Sequence, residues 1–322
     1  MKKIKHRLIM AAVCLYLVCQ TVLAAEVLIP GGQLIGLEIL DNTVTVAAFD
    51  EQLGAEAKKA GLQVGDRITA IDGKQVRTAE DVRDILNDAG QKVELSVLRE
   101  GAVKKLQLTL HDTGDGSKLG VYLKQGVTGV GTVTWYDPQT GRFGALGHGV
   151  NEQSGSLINM RQGRVYDAAV TAVRAGRSGT PGQLLGAVSS KDPIGQLAKN
   201  TNQGVFGTID LTAQSQALPV AEPEQVHTGA ATIRSTVAGD EVQEYSVEIL
   251  KVYPSSGSSG RNMLVKVTDP DLLEVTGGIV QGMSGSPIIQ DGKLIGAVTH
   301  VLVNDPTTGY GIFIENMLDA AA

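Results

Sequence analysis

The chain has 322 residues, of which 42% are hydrophobic, 4% aromatic and 19% charged, and its formal net charge is -6. This length suits two domains with ample cores, and the hydrophobic content excludes a mini-protein and a disordered acidic tail. Forty glycines without a G-X-Y period exclude collagen and favour short strands joined by turns. We do not expect so acidic a chain to bind nucleic acid.

Residues 1–25 have the composition of an export signal, because four basic residues precede an apolar stretch at 8–18 and small residues follow it. The apolar run is shorter than the roughly 20 residues of a spanning helix, so cleavage after Ala24 is favoured over an uncleaved membrane anchor. Both cysteines, Cys14 and Cys19, lie in this segment. The remaining chain therefore has no disulfide and no cysteine nucleophile.

Residues 27–112 alternate strand patterns with two helical stretches, at 52–60 and 79–87. The second helix begins behind Thr78, a residue type that caps helix N-termini, and it has Val82 on its apolar face. The strand patterns lie at 35–40, 43–49, 67–71, 92–99 and 105–110.

The string AGLQVGDRITAIDGK at residues 60–74 has turn signals on both sides of a five-residue strand. It resembles a PDZ domain, an α+β fold that binds a peptide tail as an added strand. The resemblance implies a carboxylate-binding loop at residues 31–36, with the tail of a partner or of the protein itself bound by Leu34, Ile35, Gly36 and Val82. A small α+β domain without a ligand is the alternative.

A polar stretch at residues 113–118 is predicted to be a linker. Residues 119–322 contain short apolar strands, interrupted by turns at the intervals of antiparallel barrels and sandwiches. Those strand patterns lie at 131–136, 165–173, 225–235, 245–253, 263–268, 287–289 and 294–303. The four histidines beyond the export signal show no ligand spacing, so no metal site and no cofactor are predicted.

The string GMSGSP at residues 282–287 precedes an apolar strand and has the features of a nucleophile loop. Gly282 can adopt dihedral angles that turn its N–H inward, and the N–H groups of Gly282 and Ser284 would then stabilise an oxyanion. The string predicts Ser284 as a trypsin-type nucleophile, with an ordinary Ser/Gly hairpin turn as the alternative.

A serine nucleophile needs a base, and His148 in the string FGALGHGV has glycines on both sides that leave its imidazole uncrowded. His111 lies at the predicted linker and His227 lies beside a strand, so both are expected to be exposed or structural. His148 is therefore the predicted partner of Ser284.

Four strings together resemble the stage IV sporulation protein B family of serine peptidases: GALGHG, TDP at 268–270, GGIVQGMSGSPII at 277–289 and THVLVNDPTTGYG at 299–311. That family combines an export signal, a PDZ domain and a trypsin-like peptidase domain. The resemblance implies a mainly β protein in which an N-terminal PDZ domain is followed by a trypsin-like double β-barrel.

The resemblance also implies a catalytic triad of Ser284 as nucleophile, His148 as base and then acid, and Asp269 as the carboxylate that orients the imidazole. Asp269 stands unusually close before the serine. The alternative is that Asp269 caps a turn before Pro270 and that Asp210 or Asp167 serves the histidine instead.

In trypsin-like folds the strand after the nucleophile lines the substrate pocket, which places Thr299 and His300 at its edge. The alternative is that both are ordinary strand residues.

The family implies a biological setting as well. Its members are exported endopeptidases of sporulation, which cut a membrane-bound regulator of an intramembrane protease between the two membranes of the developing spore and thereby trigger sigma-factor processing. A non-catalytic PDZ adaptor at the membrane is the alternative from another class. A heat-shock-type protease is disfavoured, because those enzymes place the PDZ domain after the peptidase domain.

Overall fold

The computed structural model describes residues 27–114, 116–152, 155–211, 215–254 and 260–322. The predicted export signal lies outside the described residues. Within those ranges no helix is both long enough and apolar enough to span a membrane.

The elements fall into four consecutive groups along the chain. The first contains β1 (Val27–Pro30) and β2 (Leu34–Asp41). The second contains β3 (Val44–Phe49), α1 (Ala55–Lys59), β4 (Arg67–Ile71), β5 (Lys74–Gln75), α2 (Ala79–Asn87), β6 (Lys92–Arg99), β7 (Ala102–Thr109), β8 (His111–Thr113), β9 (Gly116–Lys118) and β10 (Val121–Lys124). The third contains β11 (Val127–Tyr136), β12 (Arg142–Ala145), β13 (Met160–Arg174), β14 (Gln183–Val188), β15 (Gly195–Thr201), β16 (Gly204–Ile209) and β17 (Leu218–Pro219), followed by a 3-10 turn (Pro223–Gln225). The fourth contains β18 (Gly229–Ser235), β19 (Gln243–Val252), β20 (Met263–Val267), α3 (Pro270–Thr276), β21 (Pro287–Gln290), β22 (Lys293–Leu302), β23 (Asp305–Phe313) and α4 (Ile314–Ala321).

Two six-stranded antiparallel barrels form the body of the protein. The first has the strand order β12-β16-β15-β13-β2-β11 and closes because β11 also pairs with β12. The second has the order β18-β19-β20-β23-β22-β21. Each barrel encloses its own aliphatic core, since alternate residues of a strand face inward, as Ile35, Leu37 and Ile39 do in β2. The predicted mainly β fold with a trypsin-like double barrel is confirmed.

The helix α4 joins the two barrels at one end. Its side chains Ile314 and Met317 are buried in a shared cluster with Trp135 and Phe206 of the first barrel and Leu294 of the second. Burial of this apolar face fixes the barrels relative to each other.

The second group of elements is the predicted PDZ domain. Its sheet has the order β10-β3-β4-β6-β7, and α2 covers the sheet with Val82 and Leu86 buried. The predicted cap of α2 is confirmed, because the Thr78 hydroxyl accepts from the N–H of Asp81 at 3.0 Å and the Asp81 carboxylate accepts from the N–H of Thr78 at 2.9 Å.

The domain boundaries differ from those predicted, because the PDZ domain is inserted into the first barrel. Strand β2 pairs with β11 on one edge and with β13 on the other, so residues 27–41 belong to the barrel. Strand β10 pairs with β3, so residues 121–124 belong to the PDZ sheet. The predicted PDZ domain, 27–112, is therefore wrong to include residues 27–41, and the predicted peptidase domain, 119–322, is wrong to include residues 121–124. The predicted linker 113–118 contributes to the β8–β9 hairpin.

The same pairing overturns three of the predicted peptide-binding residues. Leu34, Ile35 and Gly36 all lie buried in β2, where β11 pairs with each of them and β13 pairs with Ile35 and Gly36 on the other edge, so this strand cannot accept a peptide. The role of Val82 stays a prediction, since it lies in α2, 3% exposed, in the PDZ core. The strands at the two edges of the PDZ sheet are β10 and β7.

A two-stranded ribbon connects the PDZ domain to the barrel. The pair β2–β11 continues directly into the pair β3–β10, across residues 42–43 on one strand and 125–126 on the other. At this junction the Gln125 amide donates to the carbonyl oxygens of Asp41 (2.9 Å) and Arg77 (3.3 Å), and its oxygen accepts from the N–H of Ala79 (3.4 Å). Gly126 has φ 72°, and a Cβ there would lie 1.8 Å from a backbone oxygen.

Candidate active site

The loop that carries Ser284 joins α3 to β21 and depends on two glycines with positive φ. Gly282 has φ 100° and Gly285 has φ 97°. A Cβ on Gly285 would lie 2.1 Å from the carbonyl oxygen of Thr132, so this loop can approach the first barrel only with glycine there.

Two buried threonines of β11 attach this loop to the first barrel. The Thr132 hydroxyl donates to the carbonyl oxygen of Gly282 at 2.7 Å, and the Thr134 hydroxyl donates to that of Gly285 at 2.7 Å. The N–H of Thr132 also donates to the carbonyl oxygen of Ser284 at 3.1 Å. Sequence reasoning missed both threonines, because threonine is ordinary in a strand and carries no local signal of its partner.

His148 follows β12 through an unusual turn. Leu146 has φ 71° and Gly147 has φ 68°, a left-handed conformation that is costly for leucine and is held here by the bond from the Leu146 N–H to the carbonyl oxygen of Thr132 at 3.2 Å. The turn brings His148 to the end of the first barrel that faces the Ser284 loop.

The imidazole of His148 is oriented by a backbone carbonyl. Its Nδ1 lies 2.9 Å from the carbonyl oxygen of Gly149. A carbonyl only accepts, so Nδ1 carries the proton and Nε2 is free to act as a base. Burial lowers the pKa of His148, and the bond to Gly149 offsets part of this effect.

Ser284 and His148 line one cavity of about 580 Å³ between the barrels, together with Gly282, Thr299 and His300. The Ser284 hydroxyl donates to the carbonyl oxygen of Thr299 at 2.8 Å. The rings of His148 and His300 lie 5.2 Å apart between centroids. The predicted nucleophile and base therefore share one cavity, although no direct hydrogen bond joins them in the described part of the chain.

His300 is held neutral in this cavity. Burial, His148 and Arg261 together lower its pKa to about 4. The hydroxyl of Thr299 donates to the carbonyl oxygen of Gly260 at 2.8 Å and is itself buried. His300 and Thr299 thus both line the cavity, and their role in substrate selection stays a prediction.

The two N–H groups on either side of Met283, those of Gly282 and Ser284, have no acceptor among the described residues, and the same holds for Val280 earlier in the loop. Their neighbours are bonded, since the N–H of Met283 donates to Val280 (3.1 Å) and the N–H of Gly285 to Val298 (2.8 Å). The two groups on either side of Met283 are the ones predicted to form an oxyanion hole.

Asp269, which the resemblance implied as the triad acid, does not contact His148 in this structure. It is the N-cap of α3: its Oδ1 accepts from the N–H groups of Asp271 and Leu272, both at 3.1 Å, and its Oδ2 accepts from the N–H of Ser246 at 3.1 Å. The alternative interpretation, a cap before the proline, is the one that the structure adopts.

The other two candidate acids are also absent from the cavity. Asp167 lies exposed on β13, and Asp210 lies exposed directly after β16. No Asp or Glu of the described residues lines the cavity, whose walls are mostly aliphatic. In this arrangement the carbonyl of Gly149 takes the orienting position at Nδ1 of His148.

Comparison with known proteins gives matches over both domains. The chain matches the family described as SpoIVB peptidase S55 over residues 115–318 and a PDZ domain family over residues 53–99. A putative zinc metalloprotease of Rhizobium meliloti is 33% identical over 98 residues, which are 30% of this chain and 25% of that protein. A probable periplasmic serine endoprotease of the DegP-like type from Pseudomonas fluorescens is 31% identical over 166 residues, which are 51% of this chain and 30% of that protein.

The chain therefore spans about a quarter to a third of the length of these curated relatives. Among solved structures, the active form of the Rv3671c protease from M. tuberculosis has a TM-score of 0.36 and 14% identity, over 61% of this chain and 73% of that one. The family match takes in more than half of the chain. The protein accordingly belongs to the family described as SpoIVB peptidase S55, and it carries a PDZ domain.

Proposed function

We propose that the protein is an exported endopeptidase of sporulation, which cuts a membrane-bound regulator of an intramembrane protease between the two membranes of the developing spore. One observation carries the catalytic part of this proposal: Ser284 and His148 line the same cavity, beside two unbonded N–H groups. The family name supports the sporulation setting. The PDZ domain, with the free edge of β10 beside α2, supports capture of a peptide tail from the substrate or from the protein itself.

The chemistry is acyl transfer. The Ser284 hydroxyl turns about its Cα–Cβ bond from the carbonyl of Thr299 towards His148, and its oxygen bonds to the substrate carbonyl carbon while Nε2 takes its proton. The N–H groups of Gly282 and Ser284 stabilise the negative oxygen that forms. His148 returns the proton to the nitrogen as the C–N bond breaks, and water then releases the acyl group by the same route.

The catalytic part is tested by reaction with a fluorophosphonate probe, which labels only an activated serine hydroxyl. We expect the purified chain to be labelled at Ser284, Ser284→Ala to give no label, and His148→Asn to slow labelling at least about a hundredfold. Ser286→Ala is the matched control, because Ser286 lies in the same loop but its hydroxyl is buried without a partner among the described residues. Unlabelled wild-type protein would refute peptidase chemistry at this site.

The biological part is tested separately. The purified protein is mixed with the membrane-bound regulator of the sporulation intramembrane protease in vesicles, and cleavage is followed by mass spectrometry. We expect cleavage by the wild type and none by Ser284→Ala. If the wild type is labelled by the probe but leaves this regulator intact, the proposed peptidase chemistry stands and the proposed substrate is wrong.

A non-catalytic adaptor is the second candidate function. It is favoured by the bond from the Ser284 hydroxyl to the carbonyl of Thr299 and by the lack of a carboxylate among the described residues that line the cavity. An adaptor predicts no labelling of Ser284, together with binding of the partner that survives in Ser284→Ala.

A further inference from the structure

The strand β14 has one open edge that starts at the active site. On one side β14 pairs with β13 along its whole length. On the other side its first residues bridge to Gln281, where the N–H of Gln281 donates to Gly182 at 2.9 Å and the N–H of Leu184 donates to Gln281 at 2.8 Å. Beyond Leu184 nothing in the described ranges pairs with this edge, and residues 185–190 are all exposed.

The backbone of the open edge presents hydrogen-bonding groups to solvent. Val170 of β13 lies opposite Gly186 of β14. The N–H and C=O of Val170 are both bonded to Gly239, on the edge of β13 that faces away from β14, at 2.6 and 3.2 Å. The pair Val170–Gly186 is therefore a non-hydrogen-bonded pair, in which the N–H and C=O of Gly186 point away from β13. Because the pattern repeats every two residues, the backbone groups of Leu184 and Val188 point to the same edge.

The open edge leads to a second cavity that adjoins the one containing Ser284. This second cavity, of about 550 Å³, is lined by residues 188–191 and shares Leu37 and Gly129 with the cavity that contains Ser284. The strand itself begins beside Gln281, directly before the loop of the two unbonded N–H groups. An extended chain that leaves Ser284 in this direction thus meets β14 first and the second cavity afterwards.

The side chains along this path have a definite chemistry. Leu185 is 37% exposed and Val188 is 50% exposed, so both offer apolar surface along the strand. Lys191 stands exposed at the far end. Two charged residues line this cavity, Glu38 and Lys191, and Glu38 is already paired with Arg164 at 3.0 Å. Lys191 is therefore the charge of the lining that a ligand can meet, although the exposed Asp192 follows it directly in the chain.

We propose that the open edge of β14 is an extended substrate-binding site, where a polypeptide segment on one side of the scissile bond adds as a strand. Its backbone bonds to Gly186 and Val188, aliphatic side chains pack beside Val188, and an acidic residue reaches Lys191. This inference rests on the proposed peptidase function and names its substrate class. From Leu184 to the end of β14 at Val188 the edge spans roughly 13 Å, and Lys191 lies three residues further on, so only a long extended substrate reaches all of it.

The test uses synthetic peptides built on a sequence that the wild type cuts, chosen from a random peptide library. One short peptide ends three residues from the cleaved bond on both sides, and two longer ones add seven residues to one side or to the other. We expect one of the two extensions to raise kcat/KM about tenfold or more, the factor expected from two or three net hydrogen bonds. N-methylation of alternate backbone nitrogens in that extension removes the gain, whereas methylation of the nitrogens between them does not.

Two variants locate the effect on β14. In Val188→Asp the ratio of kcat/KM between the long and the short peptide falls towards one. Val103→Asp, at an aliphatic position on β7 of the PDZ domain that is also exposed (66%), keeps the wild-type ratio. Lys191→Glu reverses the preference between an acidic and a basic residue at the end of the extension. Far-UV circular dichroism and the unfolding midpoint show that each variant is folded.

Three outcomes overturn the inference. Equal kcat/KM for all three wild-type peptides, or a gain that persists in Val188→Asp and after N-methylation, removes β14 as a substrate site. A concentration-dependent dimer that Val188→Asp abolishes assigns the edge to a second copy of the chain instead. Each of these leaves fluorophosphonate labelling of wild-type Ser284 intact, whereas failure of the peptidase function abolishes that labelling.

Discussion

Replacing Thr132 by valine tests whether the first barrel holds the nucleophile loop in its reactive shape. Thr132 is 1% exposed, and its hydroxyl lies 2.7 Å from the carbonyl oxygen of Gly282. Valine has nearly the same shape, so no cavity forms, but the Gly282 carbonyl loses a buried donor. The cost of an unsatisfied buried group is about 1–3 kcal/mol. In a domain of this size each kcal/mol lowers the unfolding midpoint by about 2–4 °C.

The substitution also acts on the reaction, because Gly282 supplies one of the two N–H groups of the predicted oxyanion hole. The Gly282 carbonyl belongs to the Gly282–Met283 peptide group, which lies between the two peptide groups that carry the N–H groups of Gly282 and Ser284. With this carbonyl released, the middle peptide group can rotate and move the N–H groups on either side of it out of line. We expect Thr132→Val to lower the rate of fluorophosphonate labelling of Ser284 by about tenfold, less than the hundredfold or more that accompanies complete loss of an oxyanion donor. Stability is measured by urea denaturation and reactivity by the rate of labelling under native conditions.

The matched control is Thr236→Val. Thr236 is also 1% exposed and donates to a backbone carbonyl, that of Gly32 at 3.0 Å, but it lines neither cavity. We expect a similar loss of stability and a wild-type labelling rate. If Thr132→Val loses stability as Thr236→Val does but is labelled at the wild-type rate, the threonine only supports the fold and the reasoning fails.

Three further predictions follow from the charges, caps and connections. Because the folded protein holds the pKa of His300 near 4, whereas a histidine of the unfolded chain titrates near 6.5, the unfolded state binds more protons between these values. Stability therefore falls as the pH is lowered from about 6.5 to about 4, because burial, followed by the electrostatic effects of His148 and Arg261, opposes protonation of His300 in the folded protein. In His300→Asn part of that fall disappears from urea titrations, and an unchanged pH dependence would contradict the assignment. Asp269→Ala lowers the free energy of unfolding by about 0.5–2 kcal/mol and Asp269→Ser recovers most of it, because serine also caps helices. A serine variant as stable as the wild type but unreactive with the fluorophosphonate would instead assign the carboxylate to His148. Gln125→Ala increases amide hydrogen exchange in the two connections to the PDZ domain, and unchanged exchange there would show that the side chain does not hold the junction.

Features whose causes lie within a few residues of each other, such as a helix cap or a glycine turn, could be predicted from the sequence. The helix at 79–87 and its Thr78 cap were predictable, because the cap, the first-turn acids and the apolar spacing all lie within ten residues. The glycines around Ser284 and His148 were equally informative, since positive φ at Gly282 and at Gly147 is a local requirement.

Long-range pairing was not predictable in the same way. Strand β2 has the alternation of any half-buried strand, and only its two partners, β11 and β13, place it in the barrel instead of the PDZ domain. Asp269 had two interpretations because Asp before Pro is typical of a helix N-cap, while the family resemblance assigned it to catalysis. No role could be predicted for Thr132 and Thr134, since the carbonyl groups that accept from their hydroxyls lie about 150 residues away along the chain.

The ribbon at Gln125 determines how the two domains can move. An appended domain hangs on one crossing of the chain, so it swivels freely and a single proteolytic nick releases it. Here the chain crosses twice, and both crossings are flanked by paired strands that also form the wall of the catalytic cavity. The PDZ domain consequently cannot rotate about a single backbone bond. Any tilt of the domain twists both connections together, and cleavage of one connection leaves the domain attached by the other.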